Sequence, residues 1–230
     1  MIIAEELLLL TYDDTTGKPD PAVGNLDYRV AGALLVELAL AGRVEVLGAD
    51  TAAPDGSRLR RGTVVVRDPY PTGHPALDQA LAVVGQRPRK PKDLIGPLSK
   101  GTREPLLAGL ADRGVLQREE RRVLRIFPTT AWPATDSSHE LRLRAECEAV
   151  LLGAQAPRPA TAALLSVLHG TGLVKKLVPP GRGKAAVQRA DVLAQQSWAN
   201  AAVKKAVDEV NAAVLVAVMV PAVSAATTST

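Results

Sequence analysis

Aromatic residues are scarce, 3% of the chain as two Trp, three Tyr and one Phe. The core must therefore come from Leu, Val and Ala, and the aromatic platforms that stack single-stranded nucleic acid are not expected. Cysteine is scarcer still: Cys147 alone excludes an internal disulfide framework and a thiolate zinc cluster, and fits a reducing compartment. The three histidines, His74, His139 and His169, stand far apart without ligand spacing, and His-Glu-x-x-His, Gly-x-Ser-x-Gly and Gly-x-Gly-x-x-Gly are all missing. No catalytic constellation, metal or cofactor is expected from that set. Long apolar runs are missing too. The longest uncharged one, Ala212 to Ala226, is interrupted by Pro221 and falls short of the roughly 18 to 20 residues that span hydrocarbon. Glu5 and Glu6 occupy the place where an export signal carries Lys or Arg. A cytoplasmic protein whose membrane contact is peripheral is the expectation.

What is present is a globular balance: 230 residues, 47% hydrophobic, with 28 Lys and Arg against 24 Asp and Glu for a net +4. Residues 26 to 41 are apolar on more than one face, with Asp27 near the start and Gly42 past the end, which predicts a buried helix. Val44 to Leu47 and Arg60 to Asp68 read as two short strands of a hairpin around a polar loop. Helices are predicted over Ala76 to Val84, from Leu94, and over Glu104 to Arg113. Arg87 to Lys92 reads as a basic, proline-broken connector. A charged turn is expected at Glu119 to Arg122, then a strand over Val123 to Phe127. Asp136 or Ser137 caps the next helix, where Cys147 falls on an apolar face. Thr161 to Leu168 and Ala185 to Val220 complete a helical C-terminal half, and Thr227 to Thr230 should fray.

Charge is concentrated rather than spread. Arg87, Arg89, Lys90, Lys92, Lys100 and Arg103 face one acid, Asp93, within Arg87 to Arg103, a local +5 that exceeds the whole chain's +4. Such a patch draws an anionic surface, each nearby Lys or Arg adding about 1 kcal/mol toward acidic lipid. A solvated, solubilising face accounts for the run equally well; Lys175, Lys176, Arg182, Lys184 and Arg189 share that ambiguity. Lys100 and Arg103, with Gly101 between them near a helix start, can aim an ammonium and a guanidinium at one phosphate. Gly181 to Lys184 resembles a phosphate loop only superficially, because Val178 and Ala185 replace its first Gly and its hydroxyl.

Five segments in order, Glu5-Glu-Leu-Leu-Leu-Leu10, Gly32-x-x-x-Val-Glu-Leu-Ala-Leu-x-Gly-Arg43, Pro71-Thr-Gly-x-x-x-Leu-Asp-x-Ala-Leu81, Gly114-Val-Leu116 and Glu148-Ala-Val-Leu151, resemble the Golgi phosphoprotein 3 family. The resemblance covers residues 2 to about 220. It implies a mainly α fold, a single domain over 1–226 with a helical core and peripheral β-hairpins, ahead of a tail at 227–230. It also implies a non-enzymatic peripheral protein that binds phosphatidylinositol 4-phosphate. Lys100 and Arg103 match two cations of that family's headgroup pocket. Ala22 and Ala31 stand in place of its tryptophan and third arginine, which blurs headgroup choice, and Arg29 on the adjoining turn is expected to compensate in part. Arg87, Arg89, Lys90 and Lys92 would steer the protein toward lipid. The family's membrane-inserting and self-associating hairpin maps to 119–130, with Val123, Leu124, Ile126 and Phe127 as its apolar residues. Because the chain begins at the Glu-Glu-Leu segment, without a basic arm, it resembles a bacterial member.

Two other readings compete with lipid binding. A winged-helix-like DNA binder would use Glu104 to Arg113 as recognition helix and Arg113, Arg118, Arg121 and Arg122 on phosphates, but it offers few side chains that read base edges. A protein-binding scaffold would touch lipid only incidentally.

Overall fold

The computed structural model describes residues 1–48, 59–123, 127–195 and 201–226. Two helices that are apolar around most of their circumference have to be enclosed on most sides, and they are. The first is α1 (Ile3–Thr11), where Ile3, Ala4 and Leu7 to Leu10 are all buried. Its first-turn amides, which have no partner within the helix, are taken by carboxylates: Glu5 Oε2 accepts from Ile2 N at 3.2 Å and Glu37 Oε2 from Ile3 N at 2.7 Å. The second is α2 (Leu26–Leu40), which carries Glu37 and packs along α1. A 3-10 turn at Pro21–Val23, capped by Asp20, leads into α2.

Around this pair lie α3 (Pro75–Gly85), α4 (Pro91–Ser99), α5 (Arg103–Asp112), α6 (Ser138–Leu151), α7 (Pro159–Leu168), the short α8 (Leu173–Lys176), α9 (Gly183–Gln195) and α10 (Ala201–Ala226). The contact between α10 and α2 is close because Gly32 lacks a side chain: a Cβ there would sit 2.7 Å from Val214 Cγ2. Four helices open with proline at or next to their first residue, and its fixed φ suits that position. Two antiparallel hairpins lie apart from each other: β1 (Val44–Val46) with β2 (Val64–Val66), and β3 (Glu119–Val123) with β4 (Phe127–Ala131). The structure is mainly helical with two small hairpins, as the family resemblance implied.

Three local expectations change. First, α4 starts at Pro91, not Leu94, so Lys92 belongs to a helix: the proline that reads as a breaker serves as its first residue. Second, the charged run Glu119 to Arg122 is not a turn but strand β3, with Glu119 opposite Ala131 and Val123 opposite Phe127. Ladder hydrogen bonds make no demand on side-chain polarity when a hairpin is exposed. Third, the described residues of the C-terminal helical region fall in α9, which starts at Gly183, and in α10, and residues 196–200 and the expected frayed tail lie outside the described residues.

Candidate functional site

The two cations singled out by sequence sit at the junction of α4 and α5. Lys100 ends α4 in extended backbone, Gly101 turns with φ of +66°, and Arg103 is the first residue of α5. Only glycine adopts that φ without strain, so the reversal fits into three residues. Thr102 is buried and its hydroxyl donates to the Leu98 carbonyl at 2.5 Å, pinning the bend from below. Lys100 is exposed and, among the described residues, has no carboxylate within ion-pair distance. It lines a cavity of about 20 Å³ with Gln79, Ala80 and Thr102, room for a single water and not for a headgroup.

Arg103 is not free: its Nε lies 3.2 Å from Asp27 Oδ1, with the two side chains 36% and 47% exposed. An exposed pair of this kind is worth about 0 to 1 kcal/mol, so a phosphate that supplies more charge can take the guanidinium from Asp27. Both charges act on Tyr12, whose phenol burial pushes above its ordinary range.

Other expected contributors are placed differently. Arg29 is 6% exposed and faces inward, its Nε donating to the Val23 carbonyl at 2.9 Å and its Nη1 to the Val167 carbonyl at 2.8 Å. It braces the loop before α2 against α7, and compensation for a missing pocket arginine is not what its geometry provides. Ala31 is wholly buried in the core, and Ala22 lies against Gly172, whose N–H donates to the Ala22 carbonyl at 3.3 Å. Arg87, Lys90 and Lys92 are exposed, whereas Arg89 is half-buried and donates to the Val83 carbonyl and Gln86 Oε1. In the hairpin, Val123 and Phe127 form the last backbone pair of the β3–β4 ladder; Leu124 and Ile126 lie outside the described residues.

Three arginines of the DNA-binding reading are engaged within the fold, and the side chain of the fourth, Arg122, lies outside the described residues. Arg113 pairs with Glu5 at 2.6 Å, Arg121 holds Glu119 Oε2 and the Thr16 carbonyl, and Arg118 lies 5.8 Å over the Trp132 ring. Lys90, Lys92 and Lys100, by contrast, are exposed with no carboxylate in ion-pair distance among the described residues.

A cluster that sequence spacing missed surrounds the start of α1. Glu5, 2% exposed, accepts from Arg113 Nη2 at 2.6 Å and His74 Nε2 at 3.0 Å. Burial alone would raise its carboxyl, but the hydrogen bonds from Arg113 and His74 hold it below the usual range. His74 Nδ1 accepts from Ala76 N, which assigns the ring proton to Nε2. Glu6 lies 3.7 Å from His139 and is pushed up to about 7 by burial. Two consecutive glutamates heading an apolar run were the available signal: carboxylates at the start of a buried helix need partners. Glu5, His74 and Arg113 border a cleft of about 380 Å³ shared by α3 and α5. Cys147 is buried and its thiol is pushed up to about 12 by burial, so it stays protonated and unreactive at neutral pH. Among the described residues no group of three or more His, Cys, Asp or Glu could hold a metal, and no helix is long and apolar enough to cross a membrane.

Comparison with known proteins matches residues 3–210 to the family described as Golgi phosphoprotein 3 (GPP34). Vacuolar protein sorting-associated protein 74 of Eremothecium gossypii is 29% identical over 166 residues, 66% of this chain and 49% of that protein. The chain thus spans about half the length of that relative. With a family match over nearly the whole helical fold, the chain belongs to the Golgi phosphoprotein 3 family.

Proposed function

We propose that this protein is a non-enzymatic peripheral binder of anionic phospholipid headgroups, with Lys100 and Arg103 as its phosphate contacts. The observation that carries the reading is the Gly101 bend: among the described residues it puts an unpaired ammonium three residues from a guanidinium that is paired with a half-exposed carboxylate, Asp27. A phosphate monoester or diester landing there gains two charge-assisted contacts at the cost of one weak surface pair. The site is a shallow rim, since the cavity beneath Lys100 admits only water, and headgroup selection accordingly rests on charge more than on shape. Lys90, Lys92 and Arg87 add long-range attraction. The names of the family and of the relative, Golgi phosphoprotein and vacuolar protein sorting, support a membrane setting.

The test is co-sedimentation with liposomes carrying phosphatidylinositol, its 4-phosphate, phosphatidylglycerol or cardiolipin. Lys100→Glu with Arg103→Glu should weaken binding about thirtyfold or more at low salt, on about 1 kcal/mol per lost cation before repulsion is added. Unchanged sedimentation of that double variant would remove these residues from the site. Equal affinity for all four lipids identifies charge sensing; preference for the 4-phosphate identifies headgroup reading.

A further inference from the structure

Helix α10 has two faces with different fates. Val210, Ala213 and Val214 are buried in the core where the helix meets α2 and α4. On the other side Leu215 and Val216 are 56% and 55% exposed, two adjacent large apolar side chains on the outer flank. From Ala212 to Ala226 the helix carries no charged residue, a stretch of about 22 Å at 1.5 Å per residue. That is too short to cross hydrocarbon.

The cations beside it identify what would cover this flank. A cavity of about 450 Å³ between the start of α4 and α10 is lined by Lys90, Lys92, Asp208, Glu209 and Val216. Asp208 is already paired with Lys204, at 2.6 Å. Among the described residues no carboxylate lies within ion-pair distance of Lys90 or Lys92. Both sit at the N-terminal end of α4, where the helix dipole adds to their charge instead of offsetting it. Exposed apolar side chains rimmed by unpaired lysines match the make-up of a helix that lies in the interfacial layer of an acidic bilayer. A second copy of the chain fits less well, because a two-fold contact through this flank brings the lysines of one protomer toward those of the other.

We propose that the outer flank of α10, with Lys90 and Lys92 beside it, is a second membrane contact that seats Leu215 and Val216 at the headgroup boundary of anionic lipid. The proposal rests on the lipid-binding reading above, and it adds an apolar anchor to a charged rim. Even half-burial of these two apolar side chains contributes more than one lysine does.

The buried, protonated Cys147 makes a direct test available, since a thiol introduced by Val216→Cys becomes the one that a maleimide reaches. An environment-sensitive fluorophore there should shift to the blue and brighten with phosphatidylglycerol vesicles, stay unchanged with phosphatidylcholine vesicles, and be quenched by brominated acyl chains. As an unlabelled arm, Leu215→Glu with Val216→Glu should lower phosphatidylglycerol binding at least about tenfold with an unchanged circular dichroism spectrum. Sedimentation with an unshifted probe would overturn the α10 contact and leave the lipid-binding reading standing. A blue shift that depends on protein concentration without lipid would overturn it in favour of self-association. Failure of the unmodified protein to sediment with any anionic vesicle would sink both.

Discussion

Arg29 and Glu6 show how differently a buried charge can be accommodated. The Arg29 guanidinium gives hydrogen bonds to two carbonyls, one of them 138 residues away in α7, and burial lowers its affinity for its proton without a carboxylate to offset this. Arg29→Met keeps the bulk and leaves two buried acceptors unsatisfied, at about 1 to 3 kcal/mol each. Urea unfolding should register a loss of about 2 to 6 kcal/mol, while vesicle binding per folded molecule stays at the unmodified level; a stable variant that no longer binds lipid would instead place Arg29 in the site. Glu6 is held by burial at a pKa of about 7 against an ordinary 4.5. Between those values the folded protein keeps a proton that the unfolded chain has lost, so stability falls as pH rises through the window and is level above it. Glu6→Gln removes that penalty. It should leave stability unchanged near pH 4 and raise it at pH 8 by up to about 3 kcal/mol. Glu140, also pushed up to about 7 by burial and by its contact with Asp14 despite Arg144 beside it, keeps part of the pH dependence in the variant. Equal unfolding midpoints for wild type and Glu6→Gln at pH 8 would contradict the assignment.

At the scale of elements, the α2–α10 contact depends on one missing methyl group. Gly32→Ala raises helix propensity by about 1 kcal/mol, yet its Cβ would meet the stiff, buried Val214 side chain at 2.7 Å. Overpacking costs about 1 to 3 kcal/mol, so net destabilisation is expected, and Val214→Ala in the same chain should turn the substitution favourable. Additive effects in that double-mutant cycle would mean that the helices simply move apart. This contact was not legible in the sequence, because nothing local pairs Gly32 with Val214. The elements themselves largely were. The buried helix expected over 26 to 41 is α2 at Leu26–Leu40, and the β-branched clusters at Val44 and Val64 do pair. Misreadings occurred where one residue type has two uses: Pro91 starts a helix, and Glu119 to Arg122 form a strand whose side chains need no core. The Lys100–Gly101–Arg103 bend was readable because its determinants are adjacent in sequence. The inward turn of Arg29, the pairing of Arg103 with Asp27 and the meeting of His74 and Arg113 at Glu5 were not, since each depends on helices brought together by the fold.

For the molecule as a whole, the uneven distribution of charge matters more than its sum. The stretch Arg87 to Arg103 carries +5 while the entire chain carries +4, so the remaining body is close to neutral and a flat anionic surface is attracted by one side. Within that stretch Arg89 is tied to Val83 and Gln86, and Arg103 to Asp27. That leaves Lys90, Lys92 and Lys100 among the cations that meet a lipid surface with no internal partner to give up. They stand at the two ends of α4, whose nine residues separate them by about 13 Å, a span over which several headgroups can be touched at once. Each of Lys90→Gln, Lys92→Gln and Lys100→Gln should weaken binding to phosphatidylglycerol vesicles about fivefold at low salt, and the triple variant should approach the product of the three. The differences should shrink near 1 M salt, where the screening length falls to about 3 Å. Lys18→Gln changes net charge by the same amount from an exposed position outside the stretch and should cost clearly less. If it costs as much as Lys92→Gln, overall charge and not the α4 patch governs association.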